Sequence, residues 1–151
     1  MFRFFAVTGL AAGLAVGSLG VADAQEKTTS LYQRLGGKKA ITAVVDEFVS
    51  RCAADTRINS FFAAAAADPH RLAAFKSHLV DQICEASGGP CKYQGKDMKT
   101  AHRGMGVTGA AFSALVEDLV GALDKFHVGE QEKKDLLGAL GPMKADIVEK
   151  E

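Results

Sequence analysis

The chain has 151 residues, 48% of them hydrophobic, with 18 basic side chains against 18 acidic ones. That length predicts one folded domain. The balanced charge excludes a broad basic nucleic-acid face and an acidic disordered tail.

Residues 4–22 carry no charge, Arg3 precedes them, and Ala22-Asp23-Ala24 closes the run. A basic start, an apolar stretch and small residues at alternate positions make a secretory signal cleaved after Ala24. The competing reading is a membrane anchor, because an uncharged run of this length can just span a bilayer. Four glycines within the run favour cleavage. The expected plan is a signal peptide over 1–24, a short lead over 25–29 and one domain over 30–151. The product is expected in the periplasm, with no membrane attachment. Removing residues 1–24 takes away Arg3 and Asp23, so neutrality survives cleavage.

The remainder reads as helices. Ile41, Val44, Val45, Phe48, Val49 and Cys52 recur at three- and four-residue spacing, the mark of an amphipathic helix. Asp68-Pro69 opens a second helix with stripe Leu72, Phe75, Leu79, Ile83 and Ala86, and Gly88-Gly89-Pro90 ends it. Cys84 and Cys91 flank that turn. Oxidising surroundings would allow a bond between them; otherwise Cys84 is a small apolar residue on a helix face. Residues 90–96 predict an extended loop and Met98 to Arg103 a short helix. Thr108 is a natural N-cap for a third long helix with stripe Phe112, Leu115, Val116, Leu119, Val120, Leu123 and Phe126. The last stripe is Leu136, Leu137, Leu140, Met143 and Ile147, interrupted by Gly141-Pro142. No segment alternates with period two, so the fold class is all-α. A long loop between the second and third helices is unusual for a plain bundle, and leaves room between helices.

The candidate chemistry lies in the histidines. His102 stands one turn after Met98, and His78 stands at the border of the second helix's apolar stripe. No short metal motif, covalent haem-attachment motif, nucleophile elbow or phosphate loop is present. On these grounds alone a lone histidine beside an apolar face is more often structural than a ligand. His70 and His127, at helix ends, read as surface residues.

Several motifs together resemble group I truncated haemoglobins. They are Leu31-Tyr32-Gln33-Arg34-Leu35-Gly36-Gly37 with Ala40-Ile41, then Asp55, Ile58 and Phe61-Phe62. Gly88-Gly89-Pro90, Tyr93-Gln94-Gly95, Met98 and Ala101-His102 follow in the same order. The resemblance spans about residues 30–147. It implies a truncated globin fold, a two-over-two helical sandwich around a non-covalent haem b, with His102 as the proximal iron ligand. It also implies haem contacts from Phe62, with Phe75, Leu79, Met98, Val107 and Phe112 as further walls; plain core packing is the alternative for each wall residue. Tyr93 is expected on the haem edge or as a loop anchor. Lys92, Lys96 and Arg103 are candidates to pair with the propionates, or are solvated charge.

The distal side departs from the family's common pattern. Where many members carry Phe-Tyr, this chain has Phe48-Val49, and a distal glutamine aligns with Leu79. Neither Val49 nor Leu79 can donate a hydrogen bond, an interaction worth about 1.5–3 kcal/mol to a charged acceptor. His78 aligns with a distal histidine that binds iron in cyanobacterial members. Two arrangements stay open: His78 and His102 both on iron, or His78 at the pocket rim.

Three functions follow as expectations. One is binding of diatomic ligands (O₂, NO, CO), with nitric oxide dioxygenase-like or peroxidase-like turnover. Another is a periplasmic redox or electron-transfer protein with bis-histidine iron. The third is a helical interaction domain that has lost haem, which the His102 motif argues against. Any turnover would need a periplasmic electron donor.

Overall fold

The computed structural model describes residues 28–151, so the expected signal segment and its cleavage site lie outside the described residues. Within 28–151 the regular structure is helical, apart from an isolated bridge between Thr108 and Lys150.

The described residues open on α1, Leu31–Arg34. Ser30 caps it reciprocally: its Oγ accepts from Gln33 N at 3.3 Å, and its own N donates to Gln33 Oε1 at 3.2 Å. Gly36 and Gly37 then take left-handed backbone (φ 94° and 75°), which turns the chain sharply into α2, Gly37–Ala54. A 3₁₀ turn over Asn59–Phe62 leads into α3, Ala63–Ala66. Asp68 caps α4, Pro69–Ala86, by accepting from Arg71 N at 2.9 Å.

At the end of α4, a Cβ on Gly89 would come within 2.5 Å of a Tyr32 ring carbon and 2.7 Å of Cys84 Sγ, so no side chain fits there. Cys84 and Cys91 are joined as a disulfide across this turn, which resolves the open alternative in favour of the bond. The remaining elements are α5, Met98–His102, α6, Gly109–Lys125, α7, Glu130–Leu140, a 3₁₀ turn over Gly141–Met143, and α8, Lys144–Ile147. Thr108 caps α6 as expected, its Oγ1 accepting from Ala111 N at 3.0 Å. Gly141 and Pro142 break the last helix into two pieces, as the ring of Pro142 requires.

Helix α2 is the centre of the fold and packs on both α4 and α6; α4 also meets α7, and α5 lies on α8. All six apolar positions of the α2 stripe are buried. Full burial of such side chains contributes about 1.5–3 kcal/mol each. The other stripes are covered only in part. On α4 Ile83 is buried, but Leu72, Phe75 and Leu79 are half-exposed; on α6 Leu119 and Leu123 are buried, but Phe112, Leu115 and Val116 are not. Phe126 departs further: it is 43% exposed, because α6 ends at Lys125 and the chain turns away. Cys52 is a free, buried thiol, which burial and the nearby carboxylates of Asp118 and Asp55 push up to about 12. It is protonated and unreactive at neutral pH.

Candidate functional site

The incompletely covered apolar side chains surround open space. His102 closes α5, a helix too short to be stable alone, so its ends must be tied down. At the N-terminal end Asp97 accepts from Thr100 N at 2.9 Å. The Thr100 hydroxyl and backbone N–H hold the Asp97 carboxyl below its ordinary range.

The His102 ring is half-buried, and its Nδ1 lies 2.8 Å from the Met98 carbonyl oxygen. A carbonyl can only accept, so Nδ1 donates, and in the neutral imidazole Nε2 is then the nitrogen with the free lone pair. That is the arrangement a histidine needs to bind iron through Nε2, with the Nδ1 bond orienting the ring.

A cavity of about 60 Å³ adjoins this ring, walled by Ile58, Phe61, Phe62, Met105, Val107, Ala111, Phe112, Leu115 and Ile147. A second, about 240 Å³, is walled by Phe48, Leu79, Ile83, Leu119, Leu137, Leu140 and Met143, among others. The two share Phe112, Leu115 and Ile147 as walls. Among the described residues, His102 is the only ionisable side chain lining either one. A third cavity of about 170 Å³ contains Val49, Phe62, Leu72 and Phe75, with Asp46 and Lys76 in its lining. Lys76 and Asp46 pair at 2.9 Å, and the Phe62 and Phe75 rings meet at 5.8 Å. Met98 and Tyr93 border a fourth cavity of about 290 Å³, more polar, with Gln82, Glu85 and Asp97.

The wall residues read from the sequence lie on separate cavities: Phe62, Val107 and Phe112 beside His102, Leu79 across the shared wall, Val49 and Phe75 further along, and Met98 on the fourth with Tyr93. His78 does not join them. It lines none of these four cavities, and its half-buried ring packs edge-on against Tyr93 at 5.8 Å. Tyr93 is a loop anchor: its Oη donates to Lys96 O at 2.7 Å and its N donates to Glu85 at 3.0 Å. Lys92 pairs with Glu85 at 3.2 Å, whereas Lys96 and Arg103 have no ion-pair partner among the described residues. His70 and His127 are exposed.

Sequence reading missed part of this site. Phe61, Leu115 and Ile147 carried motif or stripe signals but read as core. Met105 and Ala111 carried none. Gln82 carried none either, yet its Nε2 lies 3.2 Å from Met98 Sδ and 3.4 Å from Met143 Sδ.

These residues fit a haem. A porphyrin is a large flat apolar body that needs apolar walls and one axial donor. Neighbouring apolar cavities that share walls, with an imidazole oriented to present Nε2, offer both.

Comparisons with known proteins agree. The bacterial-like globin family matches residues 30–149. The chain is 34% identical over 118 residues to the group 1 truncated haemoglobin GlbN of Mycolicibacterium paratuberculosis, covering 78% of this chain and 83% of that one. It is 35% identical over 106 residues to the group 1 GlbN of Synechocystis, covering 68% and 82%. The crystal structure of the truncated haemoglobin from Tetrahymena pyriformis, Fe(III) form, superposes with a TM-score of 0.72 at 27% identity, over 80% of this chain and 98% of that one.

Proposed function

Because the chain belongs to the bacterial-like globin family, as a haem-binding group 1 truncated haemoglobin with the two-over-two fold, we propose that it binds diatomic gases at an iron held by His102. The observation that carries this reading is the single imidazole on the apolar cavities, with its Nδ1 proton committed to Met98 O. When bound, non-covalent haem b would supply an iron able to take a small gas ligand. His102 supplies the nitrogen donor on the near side. Phe62, Val107 and Phe112 exclude water from its face, and Met98 orients the ring. Leu79, Phe75 and Val49 keep the far side apolar and offer a gas ligand no hydrogen bond. Lys96 and Arg103, which have no ion-pair partner among the described residues, are the cations placed to take the propionates.

The finer reading is that His78 would also ligate the iron in the resting protein. Its support is its alignment with the distal histidine of cyanobacterial members and its place one residue before Leu79, which lines the larger apolar cavity. To reach iron it must leave Tyr93, so an external ligand meets a protein that is only partly open, and its apparent affinity falls by that fraction. The ferric absorption spectrum of the wild type and of His78→Ala tests this. A low-spin wild type that becomes high-spin in the variant supports the second ligand; a high-spin, water-bound wild type removes it.

The donor-free wall made by Val49 and Leu79 also favours a second function, periplasmic electron transfer through bis-histidine iron. Nitric oxide consumption in the presence of O₂, compared with the CO binding rate, separates the two. Rapid consumption supports a nitric oxide dioxygenase-like activity. Its absence, with slow CO binding, supports the redox role. The Cys84–Cys91 disulfide supports an exported protein in an oxidising compartment, where the electron donor would also be periplasmic.

A further inference from the structure

The turn that follows His102 has little structure of its own. The backbone leaves the helix at Arg103 (φ −55°, ψ 125°), and Gly104 and Gly106 both take left-handed conformations (φ 79° and 68°). Met105 between them is 38% exposed, and its N donates to the His102 carbonyl at 3.1 Å. Nothing within this turn fixes it against the rest of the molecule.

The end of the chain does. Gly104 N donates to one oxygen of Glu149 and Gly106 N to the other, each at 2.6 Å. These are short bonds to an ionised acceptor, stronger than bonds between neutral groups. They hold the Glu149 carboxyl below its usual range. The backbone of the same segment is tied in register: Glu149 N donates to Val107 O at 2.9 Å, and Gly109 N donates to Lys150 O at 2.9 Å. Helix α8, which carries this tail, packs on α5, which carries His102.

We propose that Glu149 is a positioning residue for the iron ligand. Its two carboxylate oxygens clamp the turn that begins at the His102 carbonyl, so the last residues of the chain set where the imidazole stands. The tail strap compensates for a five-residue helix that cannot hold a ring in place by itself. This inference rests on His102 as the iron ligand. Outer partners of a metal-bound histidine typically change metal affinity by about 10- to 100-fold when removed. Glu149 acts through the backbone, so the effect belongs at the lower limit of that range.

The test uses the haem-loaded protein and three variants, Glu149→Ala, Glu149→Gln and Glu151→Gln. One readout is the iron–imidazole stretching band of the ferrous protein by resonance Raman, recorded for each protein with His78→Ala also present so that no second histidine binds the iron. The other is the rate of haem transfer to an excess of a haem-free acceptor globin. Glu149→Ala should shift the band and release haem about tenfold faster. Glu149→Gln keeps one acceptor oxygen and should fall between. Glu151→Gln removes the same charge nearby without those bonds and should match the wild type. Wild-type values in Glu149→Ala overturn the clamp, as does an equal change in Glu151→Gln. If Glu149→Ala does not fold, Glu149→Gln decides, and a wild-type band and rate there overturn it. With His78→Ala present, a protein lacking any iron–imidazole band overturns the assignment of His102 itself, a result distinct from a band that is present and unmoved.

Discussion

Breaking the Cys84–Cys91 disulfide should lower stability by an amount that follows from its short loop. The two cysteines are seven positions apart. The chain-entropy relation gives about 2.4 kcal/mol for a loop of that size. For a domain of residues 28–151 the unfolding entropy near the transition is about 260 cal/mol/K, so the melting temperature should fall by about 9 °C. Haem-free protein is the right material, because reductants also act on iron. Melting is followed by circular dichroism with and without reductant. Cys52 is a buried thiol in both states, so it does not contribute to the difference. Denatured, unreduced protein should titrate one thiol. Three titratable thiols, or a melting shift below about 2 °C, would refute the reasoning. Local effects should follow the same bond. Cys84 is fully buried at the end of α4, and Cys91 begins the loop that carries Tyr93, so reduction should speed amide exchange around residues 87–93 before the rest of α4.

Two further outcomes follow from the site. Val49→Tyr places a hydroxyl beside the roughly 170 Å³ cavity shared with Phe62 and Phe75, and should slow O₂ release about tenfold, as a charge-assisted hydrogen bond of at least about 1.5 kcal/mol would; an unchanged release rate in stopped-flow counts against the distal geometry described here. Asp97 has a folded-state pKa below its unfolded value, so its contribution is complete above about pH 4 and is lost as pH falls through the folded value. Haem retention during acidification should therefore depend less steeply on pH in Asp97→Asn than in the wild type. Several other carboxylates are shifted the same way, so the difference between the two proteins is the quantity to read, and superimposable profiles contradict the role of this cap.

The elements whose cause is local were legible in the sequence. The α2 stripe, the caps at Asp68 and Thr108, the break at Gly141-Pro142 and the short helix from Met98, expected to Arg103 and ending at His102, all depend on neighbours within a few positions. The stripes of α4 and α6 were legible as apolar but not as half-covered. A helical period says which residues avoid water, and it does not distinguish a side-chain wall from a protein neighbour. Leu79 and Phe112 look the same either way, and only the family motifs assigned them to a haem. His78 shows the limit of alignment: its position on α4 matches a distal ligand, while its ring rests on Tyr93, a contact made across a loop. Glu149 had no signal at all, because its partners lie more than 40 positions away and are backbone amides of glycines.

The central claim is that His102 holds the iron. Haem titration of purified wild type and His102→Ala, followed in the Soret region, tests it most directly. The wild type should take up one equivalent with a sharp end-point and an imidazole-ligated ferrous CO spectrum. The variant should bind weakly, without that spectrum, and should regain it when free imidazole is added. A His102→Ala protein that binds one equivalent with the wild-type spectrum would contradict the account.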